Sequence, residues 1–302
     1  MMFDSTVVIP MLSQPNFLAS ALRGLVKHSL LSHRILVIYS HPEMQGHVPY
    51  QDYTVDISLR GYRKYTSIRD YREKRGDWCA EHHIEFHDVT EQALAFEEQY
   101  KAGKIYSGGN WEGGHDTAFK DNFGLALVDT EFVVNNFDAD FYPGPGWDVP
   151  LANILRTFHD SRVIAMPVHV EPHVDHIVPQ PRTDIFEDTR HIANNRPILA
   201  LPNERRSNQH YRIYEREWID FVQQWKRDET IHEKCGDRDY LHWVPTMVRT
   251  KDAKEIIGEW SYKGAGYDLE MDNRCGQLDF MKVCPRTSFI LHRGLVVDET
   301  DA

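Results

Sequence analysis

Short apolar runs alternate with segments of helical periodicity through the first part of the chain. Thr6–Pro10 and Ile35–Ile38 predict two buried strands, and between them apolar residues recur at helical spacing over 17–26. Pro15 suits the first turn of this helix, and Ser13 is a possible cap. A strand, a helix and a strand within about 35 residues form a βαβ unit, which predicts a parallel sheet.

Further along, the same patterns predict more strands of that sheet. Ile84–Phe86 indicates a third strand, a helix is expected over about 115–128, and Phe132–Phe137 predicts the fourth strand. Arg162–Val170 is also typical of a strand, and Pro167 favours an edge position for it. The predicted class is therefore α/β, with a mixed but mostly parallel central sheet between helices.

Two polar stretches interrupt this pattern. Residues 41–80 predict a loop followed by a helix, and 171–212, rich in Pro, His, Arg and Asn, predicts a long insertion. Aromatic residues then recur at helical spacing over 214–225, which favours a helix docked on the body over an aromatic ligand site. The pattern becomes compact again over 240–293.

Composition narrows the classes of function. The 302 residues carry a formal net charge of −12, which makes nucleic acid an unlikely partner. The four cysteines are sparse and favour reduced thiols, although Cys275 and Cys284 are close enough in sequence to pair in a secreted protein. The sequence shows no signal peptide and no apolar run of membrane-spanning length, so we expect a soluble, cytoplasmic protein.

The segment Asp138-Ala139-Asp140 carries the strongest chemical signal. It follows an apolar run and precedes a Pro/Gly turn. Because side chains alternate along a strand, both carboxylates would address one ligand from the carboxyl end of that strand. Hard divalent cations take such oxygen donors and often keep substrate phosphates as further ligands. The alternative is that both residues only stabilise a turn.

In pieces, residues 5–165 and 240–295 resemble the glycosyltransferase family 2 group with the GT-A fold. Thr6–Pro10 resembles its opening strand, and Asp138–Asp140 followed by Pro143–Trp147 resembles its metal motif and turn. Between them stand the residues that are similar to its Asn-x-Gly and Ala-x-Asn-x-Gly stretch: Asn110, Ala118, Asn122 and Gly124. The second strand departs from the pattern, because it ends in Tyr39-Ser40-His41 where the family usually has an acid.

The last part of the resemblance covers Gly264–Arg274, which is similar to the family's Gly-Gly and Glu-Asp-x-Asp-Leu-x-x-Arg stretch. Aligning Arg274 with the family's Arg places Asp268 at the catalytic acid, while Tyr267 replaces the usual Glu before it. The stretch and its continuation to His292-Arg293 also resemble the polypeptide N-acetylgalactosaminyltransferases, in which a later His completes the metal site.

The resemblance implies one GT-A catalytic domain over 1–302, with a donor half at about 1–165, an acceptor-side insertion at about 170–238 and a catalytic segment at about 240–295. It implies Mn²⁺ or Mg²⁺ as the cofactor and a nucleoside-diphosphate sugar as the donor, with UDP ahead of GDP. The acceptor would be a glycan or another hydroxyl compound, and a carboxylate base would give inversion, although retention stays open.

Each candidate residue then has an implied role. The metal ligands are Asp138, Asp140 and His292, and the base is Asp268 ahead of Glu270 and Asp272. Acceptor contacts are Trp147 and Tyr267. The candidate donor contacts are Pro10, Asp88, Asn110, Asn122, Asp138 and Arg293.

Structural alternatives remain for several of these residues. The acids over 268–272 could form the solvated start of a helix, and His292 could have a structural role. Arg293 could lie on the surface, and Trp147 could hold the loop in place. A second metal site is disfavoured, because Pro172 breaks helical spacing in the group His169, Glu171, His173, Asp175 and His176.

Two other functions stay open on the same fold. One is a sugar-nucleotide nucleotidyltransferase, although no early Gly-rich segment with a following basic residue is present to hold a triphosphate. The other is a non-catalytic carbohydrate-binding protein, against which the intact carboxylate pair Asp138 and Asp140 argues.

Overall fold

The computed structural model describes residues 2–11, 14–40, 64–101, 114–173, 198–200, 206–207, 210–236, 245–260, 267–292 and 294–298. In chain order the strands are β1 Ser5–Met11, β2 His33–Tyr39, β3 Ile84–Asp88, β4 Phe132–Asn135, β5 Tyr142–Pro143, β6 Val163–Ala165, β7 Val168–His173, β8 Ile198–Ala200, β9 Arg206–Ser207, β10 His210–Tyr214, β11 Thr230–Lys234, β12 Thr246–Arg249, β13 Met281–Pro285, β14 Phe289–Leu291 and β15 Gly294–Val297. The helices are α1 Pro15–His28, α2 Ile68–Glu81, α3 Thr90–Lys101, α4 Gly114–Leu127, α5 Asp148–Thr157, α6 Glu215–Trp225 and α7 Tyr267–Gln277, with a π-helix at Asp252–Ile257.

Eight strands form the central sheet, in the order β11-β13-β6-β12-β4-β1-β2-β3. The four neighbouring strands β4, β1, β2 and β3 run parallel to one another, and so do β6 and β13. Strands β12 and β11 run antiparallel to their neighbours. The predicted class, a mixed and mostly parallel sheet flanked by helices, is confirmed.

Burial explains why these segments form the centre of the sheet. All seven residues of β1 are buried, and helix α1 places Phe17, Leu18 and Leu22 in the same core. Helix α4 crosses close to β1, at Gly124. A Cβ atom added to this glycine would lie only 2.3 Å from Val8 Cγ1. The predicted helix α1 is confirmed, but its N-cap residue is Gln14, in the left-handed region with φ 80°.

Two expectations need correction. Strand β4 ends at Asn135, because Asn136 adopts φ 58° and turns the chain away from the sheet. Pro167 does not mark an edge strand, since it separates the interior strand β6 from β7 in another sheet. Helix α3 was not predicted, because its apolar residues show only weak periodicity.

Two smaller sheets complete the structure, with the orders β5-β14-β7-β8 and β15-β10-β9. They share a second apolar cluster with helix α6, which buries Trp218, Phe221, Val222 and Trp225. The aromatic spacing over 214–225 therefore belongs to a helix docked on the body, as expected.

Candidate active site

The smaller sheet β5-β14-β7-β8 brings three distant segments together. Strand β5 follows Asp140 after one residue and pairs with β14, so that Tyr142 lies opposite Leu291. Strand β14 pairs with β7 on its other side, where Leu291 lies opposite Val170. His292 comes directly after β14 and donates its backbone N–H to the Val170 carbonyl, at 2.9 Å. The imidazole of His292 is therefore held between the Asp-x-Asp segment and β7.

His292 has a carboxylate beside each ring nitrogen. Its Nε2 lies 3.7 Å from Asp140 Oδ2, and its Nδ1 lies 3.1 Å from Glu171 Oε1. Glu171 Oε1 is also 3.7 Å from His169 Nε2. The ring of Phe141 stacks on His292 at 4.7 Å between centroids. His169, Glu171 and His292 lie close enough together to hold one metal ion, and Asp140 is beside His292. Imidazole and carboxylate donors of this kind fit a divalent transition metal.

The Asp-x-Asp segment itself is a turn, which corrects the expectation of alternating strand positions. Phe141 donates its backbone N–H to the Asp138 carbonyl, at 3.1 Å. Asp138 and Asp140 are half-buried, while Ala139 between them is buried. The two carboxylates stand at the carboxyl end of β4, which is where the sequence placed them.

A third carboxylate near Asp138 was missed by sequence reasoning. Asp121, on α4, is fully buried. Burial and the charge of Asp138 raise the pKa of Asp121 well above its usual range, although a hydrogen bond from the Asn136 backbone acts against this rise. The position of Asp121 directly before the motif residue Asn122 was the only signal in the sequence.

Lys120 is a second residue that the sequence did not single out. Its ammonium group is buried and donates to the Met11 carbonyl, at 2.6 Å, where β1 ends. Because β1 and β4 are parallel neighbours, this cation stands at the same edge of the sheet as the Asp-x-Asp turn. Its burial was hidden in the sequence, because lysine on a helix is usually exposed.

The amide of Asn122 forms two hydrogen bonds with the backbone of Trp260: Nδ2 donates to the carbonyl at 2.9 Å, and Oδ1 accepts from the N–H at 2.6 Å. Asn122 therefore ties α4 to the segment that precedes α7. Its contact with the donor stays a prediction.

Two other donor candidates lie on the central strands. Pro10 is buried within β1. Asp88 ends β3 and is exposed, but its Oδ1 accepts from both the backbone N–H and the hydroxyl of Thr90 at the start of α3. Asp88 therefore stabilises a helix start, and a contact with base or ribose stays a prediction. Asn110 and Arg293 lie outside the described residues.

The acceptor contact of Trp147 also needs correction. Its side chain is fully buried, with Nε1 donating to Ser29 Oγ at 3.0 Å and the ring stacked against His33. A ring that is closed off from solvent on all sides cannot lie against an acceptor sugar. The alternative that Trp147 pins the turn agrees with this packing.

Helix α7 carries the candidate bases. Tyr267 and Asp268 are its first two residues, and their roles stay predictions, as does that of the half-buried Glu270. Asp272 is corrected, because its Oδ1 lies 2.8 Å from Lys282 Nζ and both side chains are almost completely buried. A carboxylate held by a buried cation is not available to take a proton from an acceptor.

All four cysteines are free and buried, so Cys275 and Cys284 do not pair. Of the group around Pro172, His169 and Glu171 lie together, whereas His176 and Asp175 are outside the described residues. None of the described helices is long and apolar enough to cross a bilayer.

A cavity of about 380 Å³ lies between α1, α2 and β15. Its walls include Arg23, Lys64, Arg75 and Trp78, and none of the predicted site residues lines it. The cluster formed by Asp140, His169, Glu171 and His292 is therefore separate from this cavity.

The chain has a GT-A-like fold. It matches a structure of S. aureus TarS 1–349 in complex with UDP with a TM-score of 0.51 and 9% identity, over 100% of this chain and 62% of that one. A structure of S. aureus TarS matches with a TM-score of 0.49 and 12% identity, over 97% of this chain and 36% of that one. This chain thus spans less than two thirds of those proteins. No protein-family model and no curated protein sequence matches it.

Proposed function

We propose that this protein is a metal-dependent glycosyltransferase that moves a sugar from a nucleoside-diphosphate sugar to an acceptor hydroxyl. The carrying observation is the approach of His292, from the far end of the chain, to Asp140 of the Asp-x-Asp turn at the carboxyl end of β4, with 3.7 Å between Nε2 and Oδ2. This arrangement supports the proposal because open α/β sheets bind their ligands at that edge.

Asp140 and His292 would hold the metal, with Asp138 directed to the same ion or to the diphosphate. An imidazole beside carboxylates favours Mn²⁺ over an all-oxygen Mg²⁺ site. When bound, the ion supplies charge that stabilises the departing nucleoside diphosphate. Lys120 adds a fixed positive charge at the same edge of the sheet, where it lowers the local negative potential created by the acids.

Uridine diphosphate is the donor nucleotide that we test first. The structure of TarS 1–349, which shares the fold, contains UDP. GDP is the second choice. The acid that commonly ends the family's second strand is replaced here by Tyr39, whose hydroxyl accepts a hydrogen bond from Arg72 at 2.9 Å.

The proposed base is Asp268, followed by Glu270, both in the first turn or so of α7. A carboxylate within reach of the acceptor hydroxyl takes its proton as the oxygen attacks the anomeric carbon. Attack from the face opposite the leaving group gives an inverted product. Because Asp272 is committed to Lys282, it drops out of the set of bases.

The test is a panel of UDP, GDP, CDP and dTDP sugars, scored by thermal stabilisation and by slow donor hydrolysis. Each is run with Mn²⁺, with EDTA, and with the variants Asp140→Ala and Asp268→Asn. We expect one donor class to raise the melting temperature only with metal, and Asp140→Ala to remove that rise. Asp268→Asn should keep the rise in melting temperature and lose the slow donor hydrolysis, in which water takes the place of the acceptor. Lack of response to every donor would refute the proposal. Nucleoside triphosphates are run beside the panel, and a response to them alone would favour a nucleotidyltransferase.

A further inference from the structure

Glu171 lies outside the motifs that predict the metal site, yet its carboxylate is nearer to the imidazole of the proposed ligand His292 than that of Asp140 is, at 3.1 Å against 3.7 Å. The two residues meet because β7 and β14 run parallel, with Leu291 opposite Val170. His292 and Glu171 are each one residue further along and so lie opposite each other. His169 stands two residues before Glu171, so both side chains project from the same face of β7.

The contact with Glu171 determines which nitrogen of His292 carries the proton. Nδ1 lies 3.1 Å from Glu171 Oε1, which is an ordinary hydrogen-bond distance, and because an ionised carboxylate can only accept, this hydrogen bond requires the proton on Nδ1. In a neutral imidazole with Nδ1 protonated, Nε2 keeps its lone pair. That lone pair is on the side of the ring that faces Asp140.

The distance on the other side of the ring suits a shared ion. Asp140 Oδ2 and His292 Nε2 are 3.7 Å apart, which is too long for a hydrogen bond. Two ligands that are each about 2.1 Å from an ion lie roughly 3.0 to 3.6 Å apart for angles of 90° to 120°. The observed separation is close to this range, so an ion can bridge the two residues with only a small movement.

Phe141 restricts the remaining freedom of the ring. It stacks on His292 with an interplanar angle of 22°, which fixes the plane of the imidazole. Glu171 then fixes the rotation within that plane. We propose that Glu171 is a positioning residue, which holds His292 as the Nδ1–H tautomer so that Nε2 is ready to bind a divalent transition metal together with Asp140.

This inference rests on the proposed metal site at Asp140 and His292, and adds to it a residue from β7. Its physical basis is general, since a metal-bound histidine usually donates its other N–H to a carboxylate or carbonyl, and loss of that partner lowers metal affinity about 10- to 100-fold. His169 contacts the same oxygen of Glu171 at 3.7 Å, which makes it a matched control on the same strand.

The experiment has two readouts on the full chain, neither of which is activity. Long-range ¹H–¹⁵N correlation spectra report the tautomer of His292 in the metal-free protein. Titration with Mn²⁺ alone, followed by electron paramagnetic resonance, gives its dissociation constant. The variants are Glu171→Gln, Glu171→Ala and His169→Gln, with Asp140→Asn and His292→Ala as tests of the metal site itself.

We expect His292 to be the Nδ1–H tautomer in the unmodified protein and to shift toward Nε2–H in Glu171→Ala. Mn²⁺ affinity should fall about 10- to 100-fold in Glu171→Ala and less in Glu171→Gln, whose carbonyl still accepts the hydrogen bond. His169→Gln should change affinity by less than about threefold, because the proposed ion lies between Asp140 and His292 rather than among His169, Glu171 and His292.

Two results would overturn the inference while leaving the metal site standing. One is full Mn²⁺ affinity in Glu171→Ala when Asp140→Asn and His292→Ala lose it. The other is an equal loss in His169→Gln and Glu171→Ala, which would mean that the ion is bound directly by His169, Glu171 and His292. If Asp140→Asn and His292→Ala also bind Mn²⁺ normally, the metal site of the proposed function fails.

Discussion

Asp272 and Lys282 form an ion pair in the interior, with 2.8 Å between Oδ1 and Nζ and about 2% or less of either side chain exposed. The pair links helix α7 to strand β13. It lies on the helix that carries the candidate bases, so its strength bears on both stability and catalysis.

Removing one partner of this pair should be strongly destabilising, because the other charge is left buried without compensation. We expect Asp272→Asn and Lys282→Met each to lower the free energy of unfolding by about 3 kcal/mol or more. The double variant Asp272→Leu with Lys282→Met should recover most of that loss, because it leaves no buried charge. Urea unfolding measures all three. A loss of turnover in Asp272→Asn with unchanged stability would instead restore Asp272 as a base.

The close approach of α4 to β1 gives a second prediction. A methyl group on Gly124 would lie 2.3 Å from Val8 Cγ1, so Gly124→Ala should cost about 1 to 3 kcal/mol by overpacking. Adding Val8→Ala should return part of this loss, since neighbouring residues that share a contact are not additive. Gly76, on α2, is the control: nothing lies within 4 Å of its would-be Cβ, so Gly76→Ala should stabilise by about 0.5 to 1 kcal/mol.

The environment of Glu215 gives a prediction of how the free energy of unfolding depends on pH. Burial by itself would raise the pKa of Glu215, but hydrogen bonds from His28, Lys27 and Tyr142 outweigh it and hold the pKa below its usual value. Between the folded and unfolded pKa values the unfolded chain binds more protons. The stabilisation is therefore complete above a pH of about 4.5 and is lost as the pH falls below it.

We expect the fall in unfolding free energy from pH 5.5 to pH 3 to be smaller in Glu215→Gln than in the unmodified protein, because the variant has no proton to gain at this position. Urea unfolding at the two pH values measures the difference. Asp220→Asn changes an exposed carboxylate on the same helix and serves as the control. An identical pH dependence in Glu215→Gln would contradict the role of these hydrogen bonds.

Substitutions of Trp147 should change stability but not acceptor binding. Because the ring is fully buried, Trp147→Ala should lower the free energy of unfolding by about 3 to 5 kcal/mol. Trp147→Phe keeps an aromatic ring in the core and should leave the KM for the acceptor within about twofold of the unmodified protein. A large rise in that KM with unchanged stability would show that the ring does reach the acceptor.

Much of the fold follows from local pattern. The apolar runs at β1, β2 and β4 and the periodicity of α1 and α6 predict these elements, because one continuous apolar run or stripe must be buried. Where the pattern was weak, as in α3, the sequence did not predict the element. The end of β4 was placed two residues too late, since nothing in the sequence shows that Asn136 takes a left-handed conformation.

By itself the sequence determined that an α/β sheet presents Asp138 and Asp140 at the end of a central strand, because an apolar run and the turn residues that follow it act over a few residues. The tertiary structure alone decided which side chains these acids meet. It joined His292 and Glu171 through the register of β14 and β7, tied Asn122 to the backbone of Trp260, and placed Asp272 and Trp147 in the interior. Such contacts depend on packing between segments that are far apart in the chain, and short-range patterns carry no record of them.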